Sequence, residues 1–348
     1  MSENVHDKER LKELQALPLE RKILITQARI IEWYSRHNGQ VYVSFSGGKD
    51  STVLLNIARK CFPDIEACFI DTGLEYPEIK QFVKSYDNVT IIRPKMRFDE
   101  VIKKYGYPLI SKEVAKKISE YRSKPDGYTN LVFNPESEKI KRYGSKYDMS
   151  KWIPLRDSDI PISAKCCDVM KKAPAHSFEK DTGKKPIIAT LAEESALRRS
   201  EWIRSGCNAF EGKRPTSKPM SFWTEQDVLA YLYEYNIPIA PPYGEIVRSD
   251  TGRYTTTKCD RTGCVFCAFG CHHDSGESRF QRLQKTHPRQ YEYCIKGGEY
   301  NEDGVWQPNK EGLGMGHIFD EINFLYGDGF IKYKSRSEWL DDLLGGDL

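Results

Sequence analysis

Between residues 8 and 37, apolar residues recur at helical spacing. Leu14 and Leu17 precede a break at Pro18, and Ile23, Ile25, Ala28, Ile31 and Trp33 follow it. His37, Asn38 and Gly39 close the pattern, so residues 1–38 are expected to form an N-terminal helical segment. The period then changes. Residues 41–45 are a short β-branched and aromatic run, which predicts a buried strand, and Val53, Leu54, Leu55, Ile57 and Ala58 predict a helix from about Asp50 to Lys60. Further strands are expected at 65–70 and 89–93. Helices are expected at 77–86, with Pro77 in the first turn, and at 98–105 and 111–122. This βαβαβα alternation predicts an α/β fold whose mostly parallel sheet carries helices on both faces.

The pattern weakens over residues 123–158, where Pro, Gly, Tyr and Lys dominate. A charged helical patch lies near 136–142. It resumes as a helix at 166–176, a buried strand at 186–191 and an amphipathic helix at 224–234 bearing Val228, Leu229 and Leu232. After residue 245, turns, cysteines and histidines take over. Helices are expected at 278–286 and 288–295, irregular chain at 297–316, and a short helix or strand at 318–324. The expected organisation is a nucleotide-binding domain at 39–245 with a basic insertion near 123–158, then a Cys-rich loop and helical extension at 246–348.

The first strand runs into Ser46-Gly47-Gly48-Lys49-Asp50-Ser51-Thr52. Adjacent glycines let backbone N–H groups approach a ligand, and a helix N-terminus adds partial positive charge. Lys49 supplies a point charge and the hydroxyls supply donors, so an oxyanion is expected over the strand end. The spacing is not that of a Walker A loop. It resembles the S-G-G-x-D-S loop of the PP-loop adenine-nucleotide α-hydrolase superfamily. The candidate nucleotide-binding residues are Ser44, Ser46, Gly47, Gly48, Lys49, Asp50, Ser51 and Thr52. Asp71, Thr72 and Gly73 join them from the end of the second strand.

The 348 residues are 39% hydrophobic and 30% charged, which describes a soluble globular protein. No apolar run reaches transmembrane length and the N-terminus is highly charged. A cytoplasmic protein without a membrane partner is therefore expected. The ten cysteines are then thiols or metal ligands rather than disulfides. Net charge is only +3, but lysines and arginines cluster at 112–124 and 139–151 among Tyr121, Tyr128, Tyr143 and Tyr147. Such a cluster either grips a polynucleotide or forms solvated faces of an irregular insertion.

Cys166 and Cys167 are adjacent, Cys264 and Cys267 form a C-x-x-C, and Cys259 and Cys271 flank the latter. Four soft thiolates suit zinc or an iron–sulfur cluster. With these cysteines the chain resembles the phosphoadenylyl/adenylyl sulfate reductase family. The matching segments are SGGKDS at 46–51, DTGLEYPEI at 71–79, CCDVMKKAP at 166–174, AEESALRRS at 192–200, and FWTEQDVLAYL followed by GCVFC. The resemblance implies an adenine-nucleotide α-hydrolase-like fold and an adenine-nucleotide ligand, either ATP or an adenylyl sulfate-type nucleotide. It implies a 4Fe–4S cluster on Cys166, Cys167, Cys264 and Cys267, with Cys259, Cys264, Cys267 and Cys271 as the compact alternative set. Arg198 and Arg199 fit the family's oxyanion-binding arginines, and Asp71 fits a ribose or Mg2+ contact when ATP is the substrate.

One departure stands out. Reductases of the family attack sulfur with a cysteine in a C-terminal tail, and the tail SEWLDDLLGGDL has none. The expected function is therefore ATP-dependent activation of an acceptor, with release of AMP and pyrophosphate, for sulfur transfer. A nucleic acid is the candidate acceptor and a sulfur-donor or thioredoxin-like protein the candidate partner. Lys49, Asp50, Asp71, Arg198 and Arg199 are the catalytic candidates. The alternatives are a sulfonucleotide reductase with a displaced nucleophile (Cys207, Cys271 or Cys294) and a nucleotide-binding regulatory partner. A homodimer is compatible with either.

Overall fold

The computed structural model describes residues 6–334; the tail at 337–348 lies outside them. In chain order the elements are helices α1 (Lys8–Gln15) and α2 (Leu19–Arg36), then strand β1 (Val41–Ser44), α3 (Lys49–Cys61), β2 (Ala67–Ile70), α4 (Pro77–Lys84) and β3 (Val89–Ile92). Next come α5 (Phe98–Tyr105), β4 (Leu109–Ile110), α6 (Lys112–Ser123), α7 (Glu138–Tyr143) and α8 (Ile153–Asp157). The chain continues with α9 (Ala173–Thr182), β5 (Lys185–Ile188), α10 (Ala196–Ser205), β6 (Asn208–Ala209), β7 (Thr216–Ser217) and α11 (Glu225–Glu234). It ends with β8 (Ile246–Arg248), β9 (Tyr254–Thr256), β10 (Ala268–Phe269), α12 (Arg279–Thr286), α13 (Pro288–Ile295), β11 (Glu299–Tyr300), β12 (Trp306–Gln307) and α14 (Met315–Tyr326).

These elements sort into two compact units. Of the described residues, one takes in His6–Pro94 and Ala173–Gly263; the other takes in Lys95–Lys172 and Cys264–Lys334. The first unit is an α/β fold around a mixed six-stranded sheet of order β3-β2-β1-β5-β7-β6. All neighbours are parallel except the edge pair β6 and β7. Strand order reverses direction at β1, with β2 on one side and β5 on the other, so a crevice opens beyond its C-terminal end. Val41, Val43 and Phe45 bury their side chains beside Leu54, Leu55, Ile57 and Ala58 of α3. Full burial of one such leucine stabilises by about 1.5–3 kcal/mol relative to exposure. A buried ion pair joins α2 to α11: Lys22 Nζ donates to Asp227 Oδ2 at 2.6 Å and to the Gln15 carbonyl at 2.7 Å.

The second unit gathers α5 to α8 and α12 to α14 with two small ladders, β4 with β10 and β11 with β12. Its irregular stretch at 123–158 is organised by one guanidinium. Arg122 donates to the carbonyls of Leu155, Arg156, Ser158 and Ile160 at 2.6–3.0 Å. Among the described residues no separate Cys-rich extension is seen. Cys259 packs in the core of the first unit, whereas β10 pairs in parallel with β4 in the second. Residues 297–316, expected to be irregular, hold the β11–β12 hairpin, and the segment at 318–324 lies inside α14. Among the described residues, no helix is long and apolar enough to cross a membrane.

Candidate nucleotide site

The loop after β1 turns because Gly47 adopts φ +71°, a region that side chains avoid. A Cβ there would also lie 2.9 Å from Ile79 Cγ2 and Val83 Cγ2 of α4. The turn is then locked by hydroxyls. The Ser46 N–H donates to Ser51 Oγ at 3.1 Å, while the Ser51 and Thr52 hydroxyls each donate to the Gly48 carbonyl at 3.0 Å. Gly48 N-caps α3 without a side chain, leaving the first-turn N–H groups of a 13-residue helix uncapped by any side chain.

Beside this loop lies a cavity of about 660 Å³. Of the residues singled out in the sequence, it brings together Ser46, Gly48, Lys49, Asp50 and Arg198. It adds Glu225, Tyr243, Arg253 and Arg261, which sequence reasoning missed. Glu225 lies in a quoted motif segment, but nothing local marks it as a partner of Lys49. Lys49 is only 6% exposed, and its Nζ reaches Glu225 Oε1 at 3.2 Å. Arg198 pairs with Glu194, which also holds Arg261 at 3.2 Å. Burial raises the Asp50 carboxyl above its ordinary range, against the pull of Lys49 and Arg261. Burial lowers the Arg198 guanidinium, and the charge of Arg261 lowers it further. The positive groups thus stand in ion pairs that an incoming oxyanion would compete for.

Several expected site residues are not among those lining the cavity. Ser44 ends β1, Gly47 makes the turn, and Ser51 and Thr52 lie in the first turn of α3. Arg199 is exposed. Asp71 binds Lys80 at 2.6 Å and Arg93 at 3.4 Å, and accepts from the Gly73 N–H at 3.2 Å. Burial works against its ionisation, but Lys80, Gly73 and Arg93 together hold its carboxyl below the usual range. Its oxygens are engaged by these cations. Thr72 is tied to Glu75 through both N–H and hydroxyl.

The second unit holds Cys166, Cys167, Cys264 and Cys267 near one another. Cys166 Sγ donates to Cys167 Sγ at 4.0 Å, and the charges of Cys267 and Cys264 act on Cys166. The hydrogen bond to Cys167 and burial hold the Cys166 thiol up, while the bond from Cys166 and the nearby Lys112 and Lys171 bring Cys167 down to about 5. The metal expectation is nevertheless corrected. Among the described residues, no group of three or more His, Cys, Asp or Glu is placed to hold a metal ion, which overturns both the 4Fe–4S set and its compact alternative. Adjacency puts Cys166 and Cys167 in a thiol pair, and the buried Cys259 donates instead to the Pro242 carbonyl at 3.0 Å. Helical backbone begins at Cys166, as the sequence suggests, and runs through a wide π-helical turn at Asp168–Lys172 into α9. The candidate displaced nucleophiles are poor ones: burial pushes Cys207 up to about 11, Cys271 to about 12 and Cys294 well above its ordinary value.

Comparison with known proteins adds a partial resemblance. Residues 40–123, the span from β1 through α6, match the phosphoadenosine phosphosulfate reductase domain. The chain is 37% identical over 303 residues to an uncharacterized protein of Methanocaldococcus jannaschii, covering 83% of this chain and 56% of that one. It thus spans about half the length of that relative. It is 22% identical over 215 residues to the adenosine 5'-phosphosulfate reductase of Staphylococcus epidermidis, covering 60% of this chain and 68% of the relative. Among solved structures it is similar to the phosphoadenylyl-sulfate reductase from Candida auris in a phosphate complex, at 16% identity and a TM-score of 0.36, covering 67% of this chain and 89% of that one. The domain match at 40–123 and the 22% identity to the reductase give a weak-to-moderate link to the phosphoadenylyl/adenylyl sulfate reductase family within the PP-loop adenine-nucleotide α-hydrolase superfamily.

Proposed function

We propose that the chain binds ATP over the 46–52 loop and uses it to activate an oxygen of an acceptor for replacement by sulfur. The observation that carries this reading is Lys49, buried at the start of α3 beside a cavity that also presents Arg198 and Arg261. An acceptor oxygen attacks the α-phosphorus of ATP, the new P–O bond forms, and the bond to pyrophosphate breaks. Hydrosulfide supplied by a sulfur-donor protein then attacks the adenylated carbon, a C–S bond forms, and AMP leaves with the acceptor's oxygen. In this reading, the Gly48 and Lys49 amides and the Lys49 ammonium meet phosphoryl oxygens, taking the place of Glu225. Arg198 and Arg261 hold the charge that develops on the leaving group. Asp50 acts through Arg198 and Lys49 as a positioning residue, Asp71 supports the strand end, and the exposed Arg199 meets the acceptor.

A second reading, sulfonucleotide reduction, is favoured by the match of residues 40–123 to the reductase domain. It is weakened because the three candidate displaced nucleophiles, Cys207, Cys271 and Cys294, all have thiols raised by burial. Parallel incubations with ATP and with adenylyl sulfate separate the two. Pyrophosphate released only when an acceptor is added supports ATP-dependent activation. Sulfite released from adenylyl sulfate with a dithiol overturns it in favour of reduction. Nucleotide binding with neither product leaves a regulatory protein.

A further inference from the structure

The second unit contains a cavity of about 780 Å³ to which the nucleotide reading gives no role. Lys112, Lys116, Lys124, Lys165 and Lys172 stand on its walls, all exposed, against the carboxylates of Glu120 and Asp168. Lys116 and Lys172 pair with those two acids at 3.6 and 2.8 Å. Among the described residues, Lys124 and Lys165 pair with no carboxylate, and Lys112 is hydrogen-bonded to the Cys167 thiol rather than to a carboxylate. Residues 112–172 carry fourteen Lys and Arg against nine Asp and Glu, an excess larger than the +3 of the entire chain.

The rim is aromatic. Tyr128 lines the cavity and is 67% exposed. Lys139 Nζ lies 4.4 Å from its ring centroid and 6.0 Å from that of Tyr147, which in turn lies 6.1 Å from the half-exposed Tyr143. A small anion needs one or two of these lysines. Five of them, continued by a row of tyrosines, match a ligand with repeated phosphates and flat faces. An acidic peptide would satisfy the lysines but offers nothing to stack on the rings.

The geometry points to this cavity and its tyrosine rim as a docking site for single-stranded nucleic acid. Its role as the acceptor rests on the ATP-activation reading; its binding does not. The test is fluorescence anisotropy of labelled single-stranded DNA and RNA of one sequence with the full chain. Either strand should bind, and the tighter of the two identifies the acceptor's chemistry. The logarithm of affinity should fall with the logarithm of salt concentration, by about 0.7 for each phosphate neutralised. Replacing Lys112, Lys124 and Lys165 together by Ala should weaken binding at least about tenfold, with thermal unfolding unchanged because all three are exposed. Lys124→Glu serves as an independent variant with the same direction. Tyr128→Ala should weaken binding several-fold, Lys49→Ala should leave it unchanged, and bound oligonucleotide should slow iodoacetamide labelling of Cys167 on the cavity wall.

Absence of binding by both strands, or wild-type binding by the triple variant, overturns the proposal. So does equal competition by polyglutamate together with no effect of Tyr128→Ala, which would indicate an acidic peptide. Oligonucleotide binding without acceptor-dependent pyrophosphate release would sink the ATP reading and keep the site. Pyrophosphate release without oligonucleotide binding would do the reverse.

Discussion

The cavity beside the glycine loop and the lysine-lined cavity of the second unit are both basic, and they manage charge in opposite ways. Lys49 is buried and paired with Glu225, while Arg198 and Arg261 share Glu194. Lys112, Lys124 and Lys165 are exposed and, among the described residues, pair with no carboxylate. A recessed, pre-paired charge discriminates, because only a ligand that reproduces the displaced carboxylate's contacts repays its loss. Exposed, unpaired lysines attract any closely spaced anions and release counterions when they do. The first arrangement suits one small ligand in one pose, the second a polymer read mainly through its backbone.

The comparison breaks most severely at the turn that builds the first cavity. Gly47→Val forces a β-branched residue into φ +71° and against Ile79 and Val83. A loss of about 3 kcal/mol or more in stability is expected, seen as a lowered midpoint in denaturant, together with loss of nucleotide binding. Arg122→Ala is its counterpart in the second unit. It strips four carbonyls of their donor, at a cost of about 2–3 kcal/mol. Faster proteolysis within 123–158 is expected, with ATP affinity unchanged. Equal loss of both functions in either variant would mean that the two regions are not separable.

Why these two residues matter differs in how it can be read from sequence. The glycine loop is contiguous, and a β-branched run leading into two glycines and an apolar helix states strand, turn and helix locally. The partners of Lys49 come from segments far along the chain, and no local pattern marks Glu225, Tyr243 or Arg261. Asp71 shows the same limit. Its position at a strand end is legible, but parallel pairing of β2 with β3 brings Arg93 to the neighbouring strand end, and Lys80 reaches back from α4. The cysteines illustrate a further one: spacing shows which thiols can meet, whereas ligation needs their relative placement, and Cys259 was drawn into the core of the first unit instead. That residues 95–172 and the chain beyond 264 share one unit has no sequence signature, because the interleaving is a property of tertiary contacts.

Smaller effects sharpen the contrast. The folded-state pKa of Asp50 is raised by burial, so its protonated form is the one the fold favours. Its stabilising contribution is full below the unfolded value near 3.8 and is lost as pH rises through the folded value. Asp50→Asn should therefore flatten the pH dependence of stability above pH 3.8 and leave the protein no less stable at neutral pH; an unchanged slope would show that Asp50 is solvated. Glu225→Gln removes the carboxylate that competes for Lys49. Since Glu225 is half-exposed, the gain is about 0.2–1 kcal/mol, or up to about fivefold tighter ATP binding. Weaker binding would instead assign Glu225 a contact with the ligand.

The central claim is that the buried ammonium of Lys49 holds the phosphates of an adenine nucleotide. Calorimetric titration of ATP into the wild-type chain and into Lys49→Ala tests it most directly. A charge-assisted contact of this kind is worth about 1.5–3 kcal/mol, so the variant should bind roughly tenfold to hundredfold more weakly. Its thermal unfolding should be little changed. Equal affinity in the two proteins would contradict the account and remove the loop as the phosphate site.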